Sequence, residues 1–431
     1  MISMDLNRTH YVEDVNVDMK DQEVILGGWV EDLRKMGKMT FLTLRDVTGI
    51  TQIILTDDVM KSIDDITRQS VVRVTGKIQD TKARDFECEI KASEISVLAK
   101  AVHPLPIDPI GRLESHIDNR LNSRALDMRN QKTASIFKIR HHVLASLRKT
   151  LSEKKFMEIT TPKIIGSASE GGANLFSLDY FGKQAYLAQS PQLFKEQMTI
   201  GLERVFEIAS FYRAEKSHTG RHLSEFTSVD IEAAFMDYTD VMDVLEDLIL
   251  HTFKYVSENC KEEQEIIGNK ITIPNSPFKK ITYSQALEEL NSKDTKLEFG
   301  DDLLDSHLRI LEETHHEFYF LTDWPIKLKP FYIMEKENNP ELSESFDLQF
   351  GYLELSSGGT RLHNPEKIKM RLSEQNLDPV GFSEHLQAFD WGMPPHAGWG
   401  LGLERLLTVI LGIDNVREVI LYPRDPERLK P

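Results

Sequence analysis

Gly398-Trp399-Gly400-Leu401-Gly402-Leu403-Glu404-Arg405-Leu406-Leu407 opens the last apolar segment of the chain, which runs to Gly412. Glycines at alternate positions let a backbone approach a ligand closely. The helix expected after them puts Arg405 in its first turns, beside the positive end of the helix dipole, where phosphate oxygens are favoured. The spacing is not the GxGxxG of a dinucleotide-binding unit, and no Gly-Lys-Ser/Thr follows as in a phosphate-binding P-loop. Alone, the segment also reads as a tight helix-packing turn.

Three segments further up the chain change that balance. Tyr352-Leu353-Glu354-Leu355-Ser356-Ser357-Gly358-Gly359-Thr360-Arg361 reads as a strand with Leu353 and Leu355 on one face and Glu354 on the other. A carboxylate and a hydroxyl before a glycine pair suit Mg²⁺, which takes oxygen ligands. Strict alternation pairs Glu354 with Ser356, so Ser357 joins it only if the strand bends before Gly358. Phe206 to Glu215 and Arg221 to Phe226 read as two strands broken at residues 217–220. Arg213 and Arg221 flank the break and can share one polyphosphate through bidentate contacts, while Phe226 offers a face to a purine. Phe156 to Pro162 is a helix exit into a strand closed by proline. Each segment alone has an ordinary structural reading: a solvated hairpin, a turn, a junction.

Towards the N-terminus the pattern is that of short strands. Phe41-Leu42-Thr43-Leu44-Arg45 alternates, Asp46 to Gly49 supplies a turn, and Thr51-Gln52-Ile53-Ile54-Leu55 returns. Val71 to Gly76 and Cys88 to Ile90 continue it, so a small OB-type barrel is expected. His103-Pro104-Leu105-Pro106-Ile107-Asp108-Pro109 is too stiff and too poor in amide donors for strand or helix and marks a boundary. Beyond it Ile136, Ile139, Val143, Leu147 and Leu151 recur at three- and four-residue steps, predicting a long amphipathic helix. A second is predicted over about 239–259, with Val241, Leu245, Leu248 and Phe253 on its apolar face. The expected division is 1–102 as the barrel, 103–131 as a linker and 132–431 as the large domain.

At 431 residues the chain exceeds one ordinary core. No run of 18 apolar residues predicts a membrane span, and the first twenty residues lack the apolar core of a secretion signal. Two distant cysteines, Cys88 and Cys260, exclude a disulfide framework and a thiolate zinc site. A cytoplasmic protein is expected. The net charge of −17 argues against holding nucleic acid by bulk electrostatics, so any RNA contact must come from local patches.

Taken together and in chain order, the segments resemble motifs 1, 2 and 3 of class II aminoacyl-tRNA synthetases, with Pro162, Arg213 and Arg405 at the family's invariant positions. The resemblance spans essentially the whole chain. More narrowly, residues 169–172 (Ser-Glu-Gly-Gly), residues 189–195 (Gln-Ser-Pro-Gln-Leu-Phe-Lys) and the Ser-Ser-Gly-Gly-Thr-Arg run are similar to archaeal and eukaryotic aspartyl-tRNA synthetases. This implies an α+β protein: an N-terminal OB-fold β-barrel that binds the anticodon, then a class II catalytic domain, an antiparallel sheet flanked by helices.

The resemblance also implies roles. ATP would be held by Arg213, Ala214, Glu215, Arg221, His222, Leu223, Phe226, Glu354, Gly402, Leu403, Glu404 and Arg405, with Arg213, Arg405 and Glu354 catalytic. Mg²⁺ would sit on Glu354 and Ser357. Aspartate would contact Glu170, Gln192, Lys195, Arg213, Ser357 and Arg361, its side-chain carboxylate clamped by Lys195 and Arg361. Phe41 and Gln52 would read the anticodon of tRNA(Asp), with tRNA(Asn) left open, and a homodimer is implied. An asparaginyl-tRNA synthetase shares the fold and motifs, but a neutral amide has no use for the Lys195–Arg361 pair. A regulatory paralogue without catalysis usually lacks the arginines of motif 2 or 3, and a free-standing asparagine-making relative lacks the anticodon domain. Two positions depart from the pattern. Leu362 stands where relatives usually carry Glu beside the arginine, and Glu31 where they carry Trp or His according to tRNA choice.

Overall fold

The computed structural model describes residues 7–61, 66–166, 175–215 and 223–431. The chain forms two compact units, Met1–Glu114 and Ser115–Pro431.

In the first unit β1 (Glu23–Met36), β2 (Met39–Arg45), β3 (Ile50–Thr56), β4 (Val71–Asp80) and β5 (Cys88–Ala99) close into a barrel in the order β1-β2-β3-β5-β4. Alternation does the sorting. Val24, Leu26, Val30, Leu42, Leu44, Ile53, Leu55, Val72 and Val74 fill the interior, all buried. Phe41 and Gln52 fall on the half-exposed outer positions of their strands.

The linker expected over 103–131 is shorter than that. Residues from Ser115 on belong to the second unit, with helices at Ile117–Asn122 and Arg124–Asp127. Arg124 is 1% exposed and donates to the carbonyls of Glu418, Ile420 and Leu421 while pairing with Asp127. Short helices anchored by one buried arginine carry no apolar period, so periodicity could not separate them from a linker.

The second unit is built on a mixed eight-stranded sheet. Its members are β6 (Met157–Glu158), β7 (Arg204–Tyr212), β8 (Glu225–Ala234), β9 (Lys279–Thr282), β10 (Phe318–Thr322), β11 (Ser345–Phe350), β12 (Leu353–Thr360) and β13 (His396–Gly402). Their order is β9-β10-β11-β12-β13-β8-β7-β6. The six central strands are antiparallel, and only the edge pairs β9–β10 and β7–β6 run parallel. Two long helices cover the sheet, α1 (Gln131–Glu153) and α3 (Tyr238–Asn259). Asn130 caps the first through the amides of Lys132 and Thr133, and Asp237 and Asp240 form a capping box on the second. The apolar stripes of both helices merge with the sheet into one core around Trp399, whose indole N–H donates to the Val241 carbonyl at 3.0 Å. Between these helices in sequence lies α2 (Gln192–Leu202), and α4 (Leu403–Leu411) follows β13 directly.

Candidate active site

The central strands expose one face to a cleft of about 320 Å³, lined by Gln192, Arg213, Phe226, Glu354, Arg361 and Arg405 among others. Arg213 leaves the end of β7, its amide donating to the Ser224 carbonyl at 3.0 Å, and its guanidinium lies 5.2 Å from the Phe226 ring centre. Arg405 sits in the first turn of α4 and donates to the Glu354 carbonyl at 2.6 Å. Two cations thus stand over the face that carries Glu354. Glu215, Leu223, Gly402 and Glu404 line the same cleft. Leu403 is fully buried in the core instead, and Ala214 is not on the lining. Glu404 is 3% exposed with both carboxylate oxygens held, one by Arg140 and one by the Thr227 amide, each at 2.9 Å. Glu170, Arg221 and His222 lie outside the described residues.

The Glu354–Ser357 question is answered by a bulge. Across β11 and β12, Leu348 pairs with Ser356 but Gln349 pairs with Glu354, so Leu355 is the extra residue. Glu354 and Ser357 are therefore both exposed on the cleft, while Ser356 is buried in its wall and donates to the Gly400 carbonyl at 2.8 Å. Opposite Ser357 stands Asp347, which the sequence reading did not single out; Lys329 holds it at 2.9 Å. Glu354 is open to the cleft yet enclosed by its walls. That enclosure, and then Asp347, push its carboxyl above the usual range against the pull of Arg405, Lys329 and Arg213. Two carboxylates pressed together beside a hydroxyl are an oxygen-only donor set of the kind a hard divalent cation neutralises, so these residues fit Mg²⁺.

The acidic partners of the expected substrate clamp were also missed. Lys195 is 2% exposed, does not line the cleft, and donates to Asp230 Oδ1 at 3.1 Å and the Trp399 carbonyl at 3.2 Å. Its ammonium lies 3.5 Å from Glu232, the same carboxylate that Arg361 grips at 2.9 and 3.3 Å. Burial alone would lower the Arg361 pKa, but Glu232 outweighs it and the pKa is raised. Asp230 Oδ2 is buried with no hydrogen-bond partner among the described residues. The alternate glycines explain how these acids fit. Asp230 lies across from Gly400 and Glu232 from Gly398, and a Cβ on Gly398 would come within 2.3 Å of the Glu232 carboxylate. The glycines make room for side chains of the neighbouring strand, not only for a ligand. Leu362 is buried in an apolar cluster, and the carboxylate beside Arg361 comes from Glu232 instead.

On the barrel, Gln52 gives its amide N–H to Glu89 at 2.7 Å, and Glu89 also accepts from Gln79 and Thr81. Glu31 pairs with Arg45 at 2.9 Å, and the Arg45 guanidinium lies 5.4 Å from the Trp29 ring centre.

Residues 116–426 match the family of class II tRNA synthetases for aspartate, lysine and asparagine (D, K and N), and residues 24–98 match the OB-fold nucleic acid binding domain. The chain belongs to the class II aminoacyl-tRNA synthetases, which are ATP-dependent ligases. Among full-length relatives, the aspartate–tRNA(Asp/Asn) ligase of Sulfurisphaera tokodaii is 45% identical over 98% of this chain and 100% of its own. That of Methanothermobacter thermautotrophicus is 42% identical over the whole of both. Among solved structures, the asparaginyl-tRNA synthetase of Pyrococcus horikoshii with asparaginyl-adenylate has a TM-score of 0.92 at 32% identity, covering 99% of this chain and 100% of its own. The aspartyl-tRNA synthetase of Entamoeba histolytica has a TM-score of 0.84 at 30% identity, covering 98% and 92%. Fold similarity alone does not separate the two amino acids.

Proposed function

We propose that this protein activates L-aspartate with ATP and transfers it to tRNA(Asp), with tRNA(Asn) the second acceptor that the relatives' names bring in. The observation that carries the choice of aspartate is Arg361, buried yet on the cleft wall, with Lys195 behind it on the same Glu232 carboxylate. Withdrawing a substrate carboxylate from water requires such a cation. Glu232 and Asp230 pair with both cations before substrate arrives, and Asp230 Oδ2 and Gln192 provide acceptors for the substrate ammonium.

In the first step the α-carboxylate attacks the α-phosphorus of ATP. A new P–O bond forms, pyrophosphate leaves, and aspartyl-adenylate remains. In the second, the terminal ribose hydroxyl of tRNA attacks the adenylate carbonyl and AMP leaves. Positioning and charge stabilisation are what the protein supplies. Arg213 and Arg405 would hold the phosphates, with Arg221 and His222 in the same role by resemblance, and Phe226 would stack on adenine. Mg²⁺ on Glu354 and Ser357, with Asp347 alongside, would neutralise phosphate charge. Phe41 and Gln52 would contact the anticodon. A homodimer is proposed as well, supported by apolar side chains left exposed on the motif 1 segment and in the stretch of chain that follows it: Met157, Ile164, Tyr180 and Phe181. Action in the cytoplasm belongs to the same reading. No helix among the described residues is long and apolar enough to cross a membrane, and both cysteines are free thiols.

The test is amino-acid-dependent pyrophosphate exchange. Aspartate should drive it and asparagine should not; asparagine driving it better overturns the assignment. Lys195→Met should weaken aspartate-dependent exchange by about 2–5 kcal/mol and leave ATP binding nearly intact.

A further inference from the structure

Behind the cleft wall lies a second buried polar cluster that the reaction as described does not use. Glu196, on α2, is fully buried. Its Oε1 accepts from Gln192 Nε2, one helical turn earlier, at 2.5 Å. Its Oε2 faces His385 Nε2 at 3.3 Å and His396 Nε2 at 3.6 Å. The two histidines arrive from different places: His385 from the helix Ser383–Asp390 and His396 from the start of β13. His396 is further fixed by Nδ1, 2.7 Å from the Pro394 carbonyl, and its own carbonyl accepts the Arg361 amide at 2.9 Å. The cluster is thus tied to two residues of the cleft, Gln192 and Arg361.

A glutamine amide can present either its oxygen or its nitrogen to a ligand, and the two ends have opposite polarity. A carbonyl oxygen attracts an ammonium, whereas an N–H repels it. Which end of Gln192 faces the cleft is decided by what Glu196 offers it. The Pro394 carbonyl accepts only, so His396 Nδ1 carries a proton, and Nε2 points at Glu196. Whether the shared proton rests on an imidazole or on Oε2, Oε1 remains an acceptor. Gln192 must then turn its N–H to Glu196 and its oxygen away. Burial works to raise the Glu196 carboxyl, but His385 and His396 overcome it and hold it well below the usual carboxylate range.

We propose that Glu196 is a positioning residue for substrate recognition: backed by His385 and His396, it locks the Gln192 amide with its oxygen towards the cleft, as an acceptor for the substrate's ammonium. This rests on the aspartate reading above. Glu196→Gln removes the lock, because an amide at 196 can donate or accept and Gln192 becomes free to flip. Aspartate is then compared with succinate, which keeps both carboxylates and lacks the ammonium, as a competitive inhibitor of exchange. The KM for aspartate should rise about tenfold, the loss of one hydrogen bond to a charged group. The KM for ATP and the inhibition constant of succinate should stay within about twofold, since neither involves the ammonium. Equal weakening of aspartate and succinate overturns the proposal, as does no change in either. If Glu196→Gln does not fold, Glu196→Asp keeps an acceptor set back by one methylene and must show the same aspartate-only loss in smaller measure. Absence of aspartate-dependent exchange in the unmodified enzyme would instead overturn the function assigned above, so the two failures are distinct.

Discussion

His396 is fully buried between an anion and a carbonyl, and that placement has a consequence for stability. Burial opposes its charge, but the Glu196 carboxylate prevails, and Glu232 adds to it, so its pKa stands above the ordinary 6.5. A group whose pKa is raised by folding stabilises the fold fully below its unfolded value and loses that contribution as pH rises through the folded value. His396→Gln should therefore lower unfolding free energy most below about pH 6.5 and progressively less in alkaline solution. Urea unfolding of both proteins across that range checks it; a difference constant with pH would assign His396 a packing role alone. The acids of the site were the hardest residues to read in advance. Val229-Asp230-Ile231-Glu232-Ala233 alternates as a half-solvated strand would, yet all five are buried. Only the glycines of β13, already prominent in the sequence, signalled that something bulky and polar would lie against them. Gln192, Arg213, Glu354, Arg361 and Arg405 were singled out because the short motifs that carry them match the family's, and all five line one cleft.

Arg140 joins elements that the chain order keeps apart. From α1 it donates to Glu404 on α4 at 2.9 Å, to Thr227 Oγ1 on β8 at 3.1 Å and to the Val419 carbonyl at 3.1 Å. Glu404 in turn takes the Thr227 amide, so the strand carrying Phe226 and the helix carrying Arg405 are fixed to each other through one ion pair. Removing one partner of a buried pair leaves the other charge uncompensated. Arg140→Met should cost about 3–5 kcal/mol in denaturant unfolding and raise the KM for ATP, with Arg140→Lys between the two. An unchanged unfolding midpoint would show that Glu404 is satisfied without it. The two long helices were readable from their apolar stripes, because a 3.6-residue period over twenty residues has no strand equivalent. The bulge at Leu355 was not. Leu-Glu-Leu-Ser-Ser alternates evenly on paper, and the irregularity exists only in the pairing with β11. The sequence reading made Ser357's joining Glu354 depend on a bend before Gly358, and the pairing puts the irregularity at Leu355.

At the scale of the whole molecule there are two units with separate cores, and the proposed roles divide between them. The barrel was legible in its alternating strands, whereas the start of the second unit was hidden in short helices held by Arg124. Every residue assigned to ATP or aspartate lies after Ser115, and Phe41 and Gln52 lie before it. Phe41 is half-exposed on β2, opposite Arg34 and Ile54, on the barrel's outer face. Gln52 sits diagonally beyond it across the β2–β3 pair, its N–H committed to Glu89. Phe41→Ala should remove one base-stacking contact, worth about 1–3 kcal/mol, and the loss should appear in aminoacylation of tRNA. Pyrophosphate exchange should be unchanged, because adenylate forms without an anticodon. Arg405→Ala should cripple both reactions, since no aminoacyl group reaches tRNA until adenylate exists. Running both assays on both variants separates the units by function. If Phe41→Ala lowers exchange as much as aminoacylation, Phe41 supports folding of the chain, and the stacking role has to be given up at that position.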